Sequence, residues 1–292
     1  MKKKNLLLTL ILVIAFAFGL TQCTTTNGPT PGSSFMVKLS NSTALGKYLT
    51  DKDGYALYMF SNDANGANNC TGGCTAAWVI FNASGLTQAQ LGSGLLLSDF
   101  STITTPGGTQ TTYKGWPLYY YAPNSYRETA GTTAGDGVDG VWFVAKPTYT
   151  LMLANYQLVG LDGVNYVASA NDVTSAGTGL TTYFTDLAGR TLYIHAKDSA
   201  NINKFTKTDF SNNASWPIYV TTKLDFPSAI DKSLFDSITV SGHKQLTYKG
   251  WPMFYYGGDV DGTGKFRGYA KGVSVPTPNT WKAFIIGVPP AP

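Results

Sequence analysis

Thr112-Tyr113-Lys114-Gly115-Trp116-Pro117 recurs as Thr247-Tyr248-Lys249-Gly250-Trp251-Pro252, 135 residues later. The same offset relates Tyr48-Leu49-Thr50-Asp51 to Tyr183-Phe184-Thr185-Asp186, and Leu57-Tyr58 to Leu192-Tyr193. A single register spanning separate stretches is the mark of a duplicated unit. Each half divides again. Aromatic strands are expected at Tyr58-Met59-Phe60, Tyr119-Tyr120-Tyr121, Tyr193-Ile194-His195 and Phe254-Tyr255-Tyr256, each followed by a turn-rich loop and then by Trp78, Trp142, Trp216 or Trp281. Tyr48, Tyr113, Tyr183 and Tyr248 precede these strands, and Asp51-Lys52-Asp53-Gly54 or Lys114-Gly115 supplies a tight turn between. The reading is all-β, internally duplicated, with four quasi-repeats of about three strands each. One such unit cannot bury its apolar face alone. The four are therefore expected to stack like small propeller blades or to pair as β-barrels or sandwiches.

Composition agrees. Tyr (18), Phe (15) and Gly (32) are abundant, and Glu128 is the only glutamate beside sixteen aspartates. Strands favour aromatic residues, and Asp and Gly serve turns, whereas helix surfaces draw on Glu.

The N-terminus reads as a sorting signal. Lys2, Lys3 and Lys4 precede an apolar run from Leu6 to Leu20, too short for a comfortable membrane span, which ends at Leu20-Thr21-Gln22-Cys23. This resembles a bacterial lipobox and implies cleavage before Cys23 with acylation there. Two or more acyl chains anchor a protein stably without a transmembrane helix. Of 21 Lys+Arg and 17 Asp+Glu, the signal holds three lysines and no acid, so the mature balance is 18 minus 17, or +1. No basic cluster remains to bind nucleic acid.

The expected organisation is thus a signal peptide at 1–22, a flexible tether at 23–34, a first repeat pair at 35–147, a connecting strand or hairpin at 148–163, and a second repeat pair at 164–292. Cys70 and Cys74, in Cys-Thr-Gly-Gly-Cys, read by default as a disulfide outside the cytoplasm, with a redox dithiol or half a metal site as alternatives.

At this point the residues match a known pattern. Leu-Tyr-x-aromatic-x-x-Asp, the Cys-Thr-Gly-Gly-Cys stretch with Trp, and Thr-Tyr-x-Gly-Trp-Pro-Leu-Tyr-Tyr together resemble the bacterial lipoproteins described as a secreted repeat of unknown function. That family is described by Tyr-x-(Phe/Trp/Tyr)-x-x-Asp. The motif sits at Tyr58, Phe60 and Asp63. It recurs at Tyr119, Tyr121 and Asn124, at Tyr193, His195 and Asp198, and at Phe254, Tyr256 and Asp259. The resemblance implies a cell-envelope location, with the outer membrane, on its periplasmic or surface face, as the expected site. It supplies no catalytic residue.

Other constellations are sparse. Asp63, Asp198 and Asp259 read as turn-forming carboxylates, or as a ring open to a cation. Asp259-Val260-Asp261-Gly262 and, more weakly, Asp136 with Asp139 resemble fragments of a calcium loop; no cofactor is expected, with Ca²⁺ as the alternative these loops offer. Trp116 and Trp251 are the candidate exposed platforms for sugar rings. His195 occupies an aromatic position and His243 lies before a strand. With two histidines and one Glu the acid–base inventory is poor. No catalytic residue is assigned. The expectation is a lipid-anchored, non-enzymatic binding or structural protein with an envelope protein or a glycan as partner. The alternatives are a redox or metal-handling accessory and a carbohydrate-binding protein.

Overall fold

The computed structural model describes residues 35–169 and 173–292. The expected signal peptide and tether, with Cys23, lie outside the described residues. The first unit opens with an antiparallel hairpin, β1 (Val37–Ser42) and β2 (Gly46–Asp51). A turn through Gly54 at φ 92° returns the chain to a Thr50–Ala56 bridge. β3 (Tyr58–Phe60) follows, then a loop with a single helical turn α1 (Cys74–Ala77), then β4 (Trp78–Ile80). The second unit repeats this order. β5 (Phe100–Thr105) and β6 (Gly108–Tyr113) form the hairpin, Lys114-Gly115 makes the turn, and β7 (Trp116–Pro117), β8 (Tyr119–Tyr121) and β9 (Trp142–Val144) follow. Each unit therefore carries one further strand, β1 or β5, ahead of the strand that holds Tyr48 or Tyr113, and the two form a long leading hairpin.

The two units interlock in one sheet ordered β4-β8-β3-β9. Tyr58 faces Tyr119 at its centre, the Trp78 strand pairs with the aromatic strand of the second unit, and the Trp142 strand pairs with that of the first. Strands of three residues are too short to stand alone, and each unit completes the sheet of its neighbour. The repeats pair as small antiparallel sheets; among the described residues no sheet closes into a barrel.

The second half follows the same plan. β10 (Leu151–Tyr156) pairs with a strand thirty residues on; between them lies an inserted three-stranded sheet, β11 (Leu158–Val159), β12 (Asn165–Ala168) and β13 (Thr174–Ala176). The partner is β14 (Thr181–Asp186), which leads to β15 (Tyr193–His195). Leu151 opposes Asp186 as Val37 opposes Asp51. The stretch 148–163 is thus not a connector. It holds the first strand of the third unit and the start of the insertion: the continuous apolar run Leu151–Ala154 is buried, and its backbone pairs with β14. The fourth unit contains β16 (Phe235–Val240), β17 (His243–Tyr248), β18 (Trp251–Pro252) and β19 (Trp281–Ala283). Here the expected strand 254–256 contracts to Phe254, which bridges Tyr193 and Ile218, while β15 pairs with β19.

One large core draws on both halves, including Trp116, Leu118, Leu151, Phe184, Trp251 and Phe284. A smaller one gathers Tyr58, Phe60, Trp78, Tyr119 and Trp142. Arg267 fastens the halves. Its Nη1 donates to Ala64 O and its Nη2 to Lys114 O, and it lies 4.5 Å over the Trp116 ring. The Trp116 indole donates to Leu187 O. A Cβ at Gly115 would come within 2.4 Å of the Arg267 Nε, and one at Gly189 within 2.5 Å of Nη1, so both turns need glycine.

Candidate functional site: carboxylates beneath tryptophan ladders

In the first half four rings stack in a row. Phe60 and Trp142 lie 4.0 Å apart, Trp142 and Trp78 3.7 Å, and Trp78 and Tyr121 4.6 Å. The second half repeats the row with His195, Trp281, Trp216 and Tyr256, at 4.6, 3.7 and 4.4 Å. All four tryptophans are buried. The interlocked sheet brings these rings together, since each ladder alternates residues from two units.

Carboxylates sit beside the ladders, and each takes its partner from the other unit of its pair. The Tyr119 hydroxyl donates to Asp63 Oδ2 at 2.7 Å, and the Asn69 N–H donates to Oδ1 at 2.7 Å. In the second half the Tyr193 hydroxyl donates to Asp259 Oδ2 at 2.5 Å, and the Lys271 N–H to Oδ1 at 2.8 Å. Burial dominates both carboxyls and raises them from 3.8 to about 7, against the opposing pull of these donors. The same desolvation, with the adjacent carboxylate, drives the Tyr119 and Tyr193 hydroxyls upward.

The remaining two motif positions depart from this scheme in complementary ways. Asn124 is exposed. Glu128 takes over its role, accepting from the Tyr58 hydroxyl and from Ala134 N at 2.6 Å. Asp198 is fully buried, but Phe254 stands where Tyr119 stands in the first half, so no hydroxyl reaches it. Its Oδ1 accepts from Lys204 N at 2.8 Å and lies 3.4 Å from His195 Nδ1; its Oδ2 has no partner. A second pair of carboxylates, Asp51 and Asp186, accepts from Tyr120 at 2.8 Å and Tyr255 at 2.9 Å. Arg127 and Arg190 cover those rings at 3.7 and 4.3 Å. Sequence reasoning missed Glu128, Tyr120 and Tyr255 in these roles. The signals were present: Glu128 is the sole glutamate, and Asp51/Asp186 and Tyr120/Tyr255 share the 135-residue offset.

Other expectations are corrected. Asp63, Asp198 and Asp259 form no ring; each accepts backbone N–H bonds in its own loop. The calcium-loop fragments do not converge. Asp259 is buried on Tyr193, while Asp261 orders its own turn through Thr263 and Lys265. Asp136 accepts from Val144 N, and Asp139 is exposed. Among the described residues no group of three His, Cys, Asp or Glu side chains could hold a metal. Trp116 and Trp251 are buried rather than exposed, because their indoles donate to Leu187 O and Pro289 O. His195 packs against Trp281 and Phe205, and His243 begins β17, stacked on Phe210. Cys70 and Cys74 form a disulfide with Cα atoms 5.3 Å apart. Their counterparts in the second half are Phe205 and Asp209.

Among the described residues no helix is long and apolar enough to cross a membrane. No curated protein and no solved structure matches the chain. A family model described as a secreted repeat of unknown function matches residues 40–82 and 101–146, which are the first and second structural units. The first half of this chain is therefore two interlocked copies of that secreted repeat.

Proposed function

We propose that this is a lipid-anchored cell-envelope protein with a non-enzymatic binding role, its repeats forming a rigid body held off the membrane by the segment 23–34. One observation carries the reading. The motif carboxylates Asp63, Asp198 and Asp259 are buried, and Asp63 and Asp259 direct their oxygens to tyrosine hydroxyls and backbone N–H groups, so they serve packing. A general acid or base needs reach to a substrate proton, which a carboxyl enclosed beside stacked indoles lacks. The anchor rests on the resemblance of Leu20-Thr21-Gln22-Cys23 to a lipobox, and the outer membrane is the site we propose for it.

Native mass spectrometry of the protein purified from its own envelope, without chelator or reductant, tests both parts. The expected mass is that of a chain beginning at an acylated Cys23, with the Cys70–Cys74 bridge intact and nothing else retained. A stoichiometric metal or cofactor would overturn the non-enzymatic reading. An unacylated chain, or a Cys23→Ala variant that stays in the membrane fraction, would overturn the anchor.

A further inference from the structure

A groove of about 490 Å³ runs along β4 between the disulfide loop and the tip of the β5–β6 hairpin. Cys70, Thr75, Trp78, Ile80, Pro106 and Gly107 line it. β4 is an outer strand of its sheet, and Val79 on it is 40% exposed.

The second half shows what belongs in such a place. Cys70, Trp78, Ile80 and Pro106 correspond to Phe205, Trp216, Ile218 and Ser241. Between Phe205 and Trp216 the loop is three residues longer than between Cys70 and Trp78. That extra length folds over the hairpin tip. Phe210 packs against the core and stacks on His243 at 4.9 Å, and the Ser241 hydroxyl donates to Thr208 O at 3.2 Å. Phe210 does this at φ 62°, a conformation an aromatic residue rarely adopts and one that the surrounding contacts must hold. The first half lacks all of these parts. The shorter loop is drawn in by the disulfide, Gly72 and Gly73 carry no side chain, and Gly108 replaces His243.

We propose that the open first-half groove docks an aromatic side chain carried on a loop of a partner polypeptide, in the position that Phe210 fills from within the second half. The proposal rests on the non-enzymatic binding reading and names the surface that does the binding. A polypeptide fits better than a free small molecule because the internal counterpart is a loop residue tied down by backbone contacts. The outer edge of β4 also offers backbone groups to an extended segment.

The test uses the chain from residue 24 onward, which contains the whole folded body. A nine-residue peptide with the sequence of Thr206–Ala214 is titrated into it, with methyl NMR at Ile80, Thr75 and Thr105. Saturable shifts at these methyls are expected. Replacing the peptide phenylalanine by alanine should weaken binding by about tenfold or more, equivalent to ~1.4 kcal/mol. Gly107→Trp should abolish binding. A Cβ there meets Ile80 Cδ1 at 3.5 Å, so the new ring enters the groove without backbone strain. Val79→Lys, which charges the strand edge, serves as a second blocking variant, and unchanged methyl signals in the second half confirm that each variant folds. Absent shifts, or shifts that survive both variants, would overturn the proposal. So would shifts that appear without peptide as protein concentration rises and vanish in Tyr126→Ala. Tyr126 is 81% exposed, and that result would assign the groove to a second copy of this chain. Any of these failures leaves the mass and fractionation results on the anchored, non-enzymatic reading intact.

Discussion

Asp63 and Asp259 have folded-state values near 7 against 3.8 for the free carboxyl, because burial penalises the ionised form more than the tyrosine and backbone donors favour it. The sign of the consequence follows from linkage. A raised folded pKa contributes stability that is complete below pH 3.8 and is lost as pH rises toward about 7. Replacing each with Asn, whose carbonyl can accept the backbone N–H while its amide donates to the tyrosine oxygen, should therefore flatten the decline in Tm across that window; an unaltered pH profile in the double variant would count against the burial argument. The repeats also contain their own mutational comparison. Phe60 and Tyr119 in the first half become His195 and Phe254 in the second, so a ring nitrogen lies 3.4 Å from the carboxyl where a hydroxyl is lost. Tyr119→Phe should cost about 1–3 kcal/mol in chemical denaturation by leaving Asp63 Oδ2 unsatisfied. Phe254→Tyr should stabilise by about 1 kcal/mol by giving Asp198 Oδ2 the donor it lacks.

At the scale of elements, the indole stacks decide whether two units become one sheet. β3 and β9, or β15 and β19, meet over only three residue pairs, so ladder hydrogen bonds alone do not hold them. Trp142→Ala and Trp281→Ala each remove a ring that contacts aromatic partners on two sides and should cost about 3–5 kcal/mol, read from denaturant midpoints. The disulfide is a weaker element. It closes a very short loop, and Cys70→Ala with Cys74→Ala should cost about 2 kcal/mol by loop-closure entropy. The native fold should survive, because the third unit builds the same structure with Phe205 packed against Trp281 in place of the bridge.

Across the whole molecule, Arg267 joins two halves that have few other charged links. Desolvation lowers its guanidinium to about 10, so it stays charged at neutral pH while it donates to two carbonyls and covers Trp116. Arg267→Lys loses the planar fork and the stacking together. It should lower Tm at a cost of about 3 kcal/mol, still within one transition because the large core spans both halves. Differential scanning calorimetry that still showed one transition with unchanged Tm would remove Arg267 from this role. The Lys146–Asp225 ion pair at 2.5 Å is a second tie between the halves and should remain in the variant.

How much of this was legible in the chain depends on the range of the interaction. The 135-residue register, the aromatic strands, the all-β class and the pairing of Cys70 with Cys74 follow from local propensity and short spacing, and these carry directly into structure. The long leading hairpins were harder to read, because Phe100–Thr105 and Phe235–Val240 are polar edge strands with weak alternation. Trp116 and Trp251 flank turns, which in sequence reads as exposure, but the carbonyls that hold them buried lie 71 and 38 residues away. Sequence alone therefore determined the repeat, its count and its strand chemistry, since these depend on neighbours along the chain. Only the tertiary structure decided which tyrosine meets which carboxylate, which indoles stack, and which of two equivalent grooves stays open. Those outcomes depend on the exchange of strands between units, which brings together side chains that no local pattern connects.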